Sequence, residues 1–108
     1  MERSPFSGLL VLFLLKCVEV WRNYYKLNAI LVRKFNVINL HEIDKELTKE
    51  GLITMRIENS LTYYEITNSG IEYVNQNYDK LISKLYEEYP NEKEFIDILI
   101  SKVPDDNN

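Results

Sequence analysis

Residues 39–74, NLHEIDKELTKEGLITMRIENSLTYYEITNSGIEYV, contain the change of hydrophobic period that decides the fold. Asn39 is a favourable N-cap residue, and Glu42, three positions later, completes a capping-box pattern. Gly51 supplies the left-handed residue that ends many helices. Between the cap and this glycine, an apolar stripe recurs at helical spacing: Leu40, Ile43 and Leu47. The pattern predicts a helix over residues 40–50.

Immediately after Gly51 the hydrophobic period changes from 3.6 to 2. In LITMRIE the apolar residues alternate with polar ones, and one face carries Ile53, Met55 and Ile57. A second alternating run, LTYYEIT, follows the turn residues Asn59–Ser60 and places Tyr64 and Ile66 on one face. The two runs predict a β-hairpin. Because the turn lacks the Asn-Gly pair of the best two-residue hairpins, a longer loop stays open.

Two apolar segments precede this region. Residues 7–21 are apolar at nearly every position except Lys16 and Glu19. A helix that is apolar on all sides must be covered on most of them, and a second copy of the protein is one way to cover it. Residues 22–35 predict the next helix, with a boundary at Arg22–Asn23. Its apolar stripe comprises Tyr24, Leu27, Ile30, Leu31 and Phe35.

The segment after the hairpin predicts one long helix and one short one. Thr67 is the expected N-cap of the long helix, and Pro90 ends it. Its apolar stripe comprises Ile71, Val74, Tyr78, Leu81, Ile82, Leu85 and Tyr89. Asn91 and Glu94 repeat the capping pattern before a short helix that Pro104 closes. The apolar residues of that helix are Phe95, Ile96, Leu99, Ile100 and Val103.

A chain of 108 residues is long enough for one domain and too short for two. The elements together predict a mainly α domain with a small β-hairpin, an α+β class, over residues 1–103. A disordered acidic tail is expected over residues 104–108. The terminal elements carry more apolar surface than one small domain can cover, so we expect a homodimer built from them. The residues concerned are Leu9–Trp21, Leu81, Leu85, Phe95 and Leu99.

The order helix, helix, capped helix, glycine, hairpin, helix resembles a winged helix-turn-helix domain with extra C-terminal helices. The stretches HEIDKELTKEGLI and YEITNSGIEYV carry the resemblance. The matching positions are Leu47, Gly51, Leu52, Ile53, Tyr64, Ile66, Thr67 and Gly70. The chain is similar to the PadR-like and MarR-like bacterial transcription regulators, which dimerise through terminal helices. The resemblance implies double-stranded DNA as a partner, with the third helix in the major groove and the hairpin at the adjacent backbone.

Basic and polar side chains around the third helix are the candidate DNA contacts. They are Lys26, Arg33, Lys34, Asn39, His41, Lys45, Lys49 and Arg56. The predicted outward positions of the third helix, however, include four acids that would repel phosphate: Glu42, Asp44, Glu46 and Glu50. An interaction module that binds another protein instead of DNA is therefore the alternative.

Charge is unevenly distributed along the chain. The net charge is −4, with a balance of +3 over residues 1–56 and −7 over residues 57–108. The basic first half suits a surface that faces a polyanion.

The residue content argues against an enzyme and against a cofactor. His41 and Cys17 are the only histidine and cysteine of the sequence, so one chain cannot assemble a zinc site of the usual kind. None of the three glycines belongs to a phosphate-cradling loop. The apolar run Leu9–Leu15 is shorter than a membrane span and lacks signal-peptide features. With an unpaired cysteine, we expect a cytoplasmic protein.

Overall fold

The computed structural model describes residues 5–102, and the predicted acidic tail lies outside them. The described residues form helices and one two-stranded antiparallel hairpin, which confirms the α+β class. The elements are α1 Pro5–Cys17, α2 Tyr24–Phe35, α3 Leu40–Lys49, β1 Ile53–Glu58, β2 Leu61–Ile66, α4 Asn68–Gln76, α5 Tyr78–Glu88 and α6 Lys93–Ser101. Two short 3-10 turns lie at Glu19–Arg22 and Pro90–Glu92.

Helix α1 forms the centre of the core. Each residue from Leu10 to Leu15 is at most 2% exposed, and α1 contacts α3, α4, α5, α6 and β2. The prediction that this helix continues to Trp21 is wrong. The β-branched Val18 has extended backbone (φ −138°, ψ 121°), and Trp21 packs against Phe95 with ring centroids 6.3 Å apart.

The burial of α1 bears on the expected dimer. Most of the apolar residues from which a second copy was inferred are covered by the chain itself, including Leu81, Leu85 and Leu99, each at most 1% exposed, whereas Val20 is 49% exposed. The argument for a homodimer from uncovered apolar surface is therefore weakened. The homodimer stays a prediction.

Helix α2 begins where the sequence predicts. The Asn23 side chain accepts hydrogen bonds from the backbone N–H groups of Tyr25 (2.9 Å) and Lys26 (3.2 Å), which satisfies two donors of the first turn. The predicted apolar stripe is confirmed, since Leu27, Ile30, Leu31 and Phe35 are buried. Asn36 ends the helix in the left-handed conformation (φ 57°).

Helix α3 begins at Leu40 and ends before Gly51, as the sequence predicts, but the predicted capping bonds are not formed. Gly51 has φ 77°, and the N–H of Leu52 donates to the carbonyl of Leu47 at 2.9 Å, the bond of a Schellman motif. The capping box is wrong. The Asn39 side chain caps no helix N–H group; its amide lies 3.5 Å from the Glu42 carboxylate.

Strands β1 and β2 form a tight hairpin. Glu58 pairs with Leu61, so the turn contains two residues, Asn59 (φ 52°) and Ser60 (φ 67°). Positive φ at both positions is the type I′ geometry that matches strand twist, which settles the turn length in favour of two residues. Beyond its first residue β1 is exposed, and Ile57 is 73% exposed.

The prediction of one continuous helix after the hairpin is wrong, because the structure has two helices there, α4 and α5. The break lies at Asn77, whose side-chain amide donates to the carbonyl of Tyr73 at 2.8 Å and competes with the helical hydrogen bonds. Thr67 is confirmed as the N-cap of α4, because its Oγ1 accepts from the Gly70 N–H at 3.0 Å. The cap predicted at Asn91 is wrong: α6 follows the 3-10 turn without a side-chain cap.

A close approach joins α4 to the start of the hairpin. A Cβ added at Gly70 would lie 2.3 Å from the carbonyl oxygen of Leu52. The Thr67 hydroxyl donates to the carbonyl of Gly51 at 2.7 Å, and its N–H donates to Leu52 at 3.0 Å. These contacts fix the hairpin relative to the end of α3.

Candidate nucleic-acid interface

A buried acid connects α3 to the hairpin. Asp44 is 6% exposed, and the Tyr64 hydroxyl donates to its Oδ2 at 2.6 Å. Burial raises the pKa of the Asp44 carboxyl, and the hydrogen bond from Tyr64 opposes that rise. The prediction that Asp44 points outward is therefore wrong. Asp44 follows Leu40 by four residues and precedes Leu47 by three, and this spacing places it on the apolar stripe of the helix.

Above this pair lies a cleft of about 330 Å³ between α3, the N-terminus of α2 and the hairpin, here called the helix–hairpin cleft. The residues that line it are Tyr24, Tyr25, His41, Asp44, Lys45, Met55, Ser60 and Thr62. Tyr25 is 63% exposed, and its ring meets that of Tyr24 edge-on. The cleft therefore combines two aromatic rings, the aliphatic hydroxyls of Ser60 and Thr62, one histidine, one lysine and the Asp44 carboxyl.

The charges of α3 separate onto two flanks. At a spacing of four residues, His41, Lys45 and Lys49 follow one flank. The three exposed acids follow the other: Glu42, Glu46 and Glu50. His41 and Lys45 line the helix–hairpin cleft, whereas its described lining includes none of the three glutamates. The three glutamates thus lie outside the described lining of the cleft.

The structure does not gather all the predicted contacts. Lys34 lies 3.5 Å from Glu92 and over the ring of Phe95, so its charge is directed to the C-terminal part of the chain. Arg33 and Lys49 are exposed on helix surfaces.

Arg56 belongs to the other face of the hairpin. Its guanidinium stacks on Tyr63, with Cζ 4.8 Å from the ring centroid, and pairs with Glu58 at 2.7 Å. The isolated bridge between Asn23 and Tyr63 holds the start of α2 beside β2.

A second cleft, of about 290 Å³, lies between the Glu19–Arg22 turn and this face of the hairpin; it is here called the outer cleft. Its lining comprises Glu19, Val20, Arg22, Asn23, Lys26 and Tyr63. Lys26, predicted as a DNA contact, lies here and not in the helix–hairpin cleft. The predicted DNA contacts did not include Arg22, although the sequence places it on the same basic face as Lys26, four residues later.

Other chemistry is limited in the part of the chain that the structure describes. Residues 5–102 contain no group of three or more His, Cys, Asp or Glu side chains placed to hold a metal ion. Burial raises the pKa of the Cys17 thiol to about 12, and its Sγ lies 3.6 Å from the carbonyl of Leu99. This cysteine is a thiol at neutral pH. Within the same range, no helix has both the length and the apolar character needed to cross a membrane.

The fold and the two clefts define an α+β domain in which a helix and a hairpin enclose a partly basic groove. No family model matches the chain, and no curated protein or solved structure matches it significantly.

Proposed function

We propose that the protein is a DNA-binding transcription regulator of the winged helix-turn-helix kind, in which α3 enters the major groove and the hairpin is the wing. The observation that carries the proposal is the withdrawal of Asp44 into its pair with Tyr64. Asp44 lines the cleft with its carboxyl group bound by the Tyr64 hydroxyl, and the basic side chains that the helix–hairpin cleft presents are those of Lys45 and His41. A phosphate backbone is attracted to such a surface.

The cleft and the adjoining surface of α3 contain groups that a DNA surface uses. In the cleft Lys45 would contact a phosphate and His41, on the first turn of α3, would face a base edge, while Lys49, outside the cleft on the same helix, would contact a further phosphate. The hydroxyls of Ser60 and Thr62 can donate to phosphate oxygens from the hairpin side. The separation of charge on α3 keeps its acids on the flank away from these groups.

The proposal includes a homodimer that binds two half-sites. Two copies related by a two-fold axis place their α3 helices about 34 Å apart, one turn of DNA. Since α1 is buried, the interface would have to use apolar residues that are exposed in the chain. Outside the hairpin and the helix–hairpin cleft, the described ones are Val20, Val32, Ile38 and Ile98.

Substitutions that each remove one charge from α3 test the proposal. Lys45→Gln should weaken binding to a labelled duplex of random sequence. Glu46→Gln should strengthen it, because a repulsive charge on the same helix is removed. Lys80→Gln, on the exposed surface of α5, is the control for an equal loss of charge. Equal effects of Lys45→Gln and Lys80→Gln would contradict this placement of DNA.

One observation favours the alternative, a module that binds another protein. Ile57 and Met55 are 73% and 41% exposed on one face of the hairpin, and Glu58 forms an ion pair with Arg56 on the other face. Exposed apolar side chains that lie together are typical of protein contacts. Under this alternative, the protein binds no duplex at low salt and the apolar tip contacts the partner.

A further inference from the structure

The outer cleft gathers positive charge that the proposed major-groove contact does not use. Arg22, at the end of the Glu19–Arg22 turn, and Lys26 of α2 line it, and Arg56 stacks on Tyr63, which also lines it. Two cations thus line one small concave surface on the far side of the hairpin, and a third stacks on one of its lining side chains. Such convergence of cations around a recess favours an anion.

Arg22 lies partly buried at the wall of the outer cleft. Its Nε is buried without a hydrogen-bond partner among the described residues, while the side chain as a whole is 40% exposed. Because the Nε is closed to solvent, an anion in the cleft would be bound by the exposed part of the guanidinium. Arginine suits phosphate in particular, because its planar donors match two phosphate oxygens.

The nearest acids do not block the cleft. Glu19 is 3.6 Å from Arg22, but its side chain is 85% exposed, so water screens the pair. Glu58 is engaged with Arg56 at the edge of the cleft. The Asn23 cap already accepts from two N–H groups of α2, so the recognition falls to the side chains and not to the helix terminus.

We infer that the outer cleft is a phosphate-binding site, in which Arg22 and Lys26 donate to the phosphate oxygens and Arg56 adds positive charge. If the phosphate belongs to a DNA backbone, the inference rests on the proposed function and extends the contact to both faces of the hairpin. Free phosphate has the same chemistry, and the two sources are separable.

The first arm of the test uses inorganic phosphate and the full chain. Amide spectra are recorded during a titration with phosphate and, at matched ionic strength, with chloride. We expect phosphate to shift the amides of residues 22–26 and of Tyr63 selectively in the wild type, and not in Arg22→Gln. Because Arg22 is partly buried, Lys26→Gln, at an exposed position, is the second variant and should weaken the shifts as well.

The second arm measures duplex binding by Arg22→Gln against the Lys80→Gln control. Loss of one phosphate contact should weaken binding roughly tenfold at 50 mM salt and lower the salt slope by about 0.9. Selective shifts together with this loss assign the site to the DNA backbone. Selective shifts without it assign the site to free phosphate.

Different results would refute the phosphate site and the proposed DNA-binding function. If phosphate shifts nothing beyond chloride and Arg22→Gln equals Lys80→Gln in duplex binding, the phosphate site is refuted while DNA binding stands. If the wild type binds no duplex, the proposed function is refuted, and the phosphate shifts alone decide on the site.

Discussion

Replacing Tyr64 with phenylalanine removes one hydroxyl and leaves a buried carboxylate without its partner. The Tyr64–Asp44 bond is 2.6 Å long, and both residues are buried. Hydrogen bonds to charged groups contribute about 1.5–3 kcal/mol, and an unsatisfied buried group adds a cost. We therefore expect Tyr64→Phe to lower the free energy of unfolding by about 2–3 kcal/mol at pH 7. For a domain of this size, that corresponds to a fall in Tm of roughly 10–15 °C.

Urea denaturation monitored by circular dichroism measures this change. The matched control is Tyr63→Phe, the adjacent residue on the opposite face of β2, for which the expected change is within about 0.5 kcal/mol. The cost of Tyr64→Phe should shrink at lower pH, because a protonated Asp44 no longer leaves a buried charge. In the Asp44→Asn background the cost of Tyr64→Phe should fall to about 1 kcal/mol, the value for a hydrogen bond between uncharged groups. A cost no larger than that of Tyr63→Phe would refute the account of this pair.

Three further predictions concern the pair and the backbone around it. Burial raises the pKa of Asp44 in the folded state above its value in the unfolded chain, so the folded state binds the proton at a higher pH. The stability of the wild type should therefore rise, relative to that of Asp44→Asn, as pH falls toward about 4. Parallel stability curves of the two proteins from pH 7 to pH 4 would contradict this. Ser60→Gly should raise the urea midpoint, by about 0.5–1 kcal/mol of stability, because Ser60 has φ 67° in the type I′ turn; a lowered midpoint would argue against that geometry. Gly70→Ala should cost more than Gly51→Ala in thermal melts, since the new Cβ meets the Leu52 carbonyl at 2.3 Å whereas at Gly51 only the positive φ is strained; the reverse order would show that α4 is not closely packed there.

The sequence predicted the elements whose signals are local. The stripe of α2, the glycine that ends α3, the alternation of the hairpin and the Thr67 cap all follow from spacing and backbone preference. Interruptions were missed because their causes are tertiary or involve single side chains. Trp21 leaves the first helix to pack against Phe95, and Asn77 breaks the fourth by bonding to Tyr73.

The helix–hairpin cleft contains two of the basic residues that the sequence proposed as contacts, but its arrangement was not predicted. Sequence spacing located His41 and Lys45, but it assigned Asp44 to the surface because an aspartate on a helix is usually solvated. Only the position of Tyr64, twenty residues later, shows that the Asp44 carboxyl group accepts a hydrogen bond inside the protein. Arg22 was overlooked because the outer cleft depends on how the hairpin packs beside the start of α2.

The salt dependence of binding to random duplex DNA tests the central proposal most directly. With Lys45, Lys49, Arg56 and one cation of the outer cleft each neutralising a phosphate, the logarithm of the binding constant should fall with the logarithm of salt at a slope near −3.6. Affinity would then decrease roughly a hundredfold between 50 and 200 mM salt. A slope near zero, or no binding at 50 mM salt, would contradict DNA binding and favour a protein partner for the hairpin.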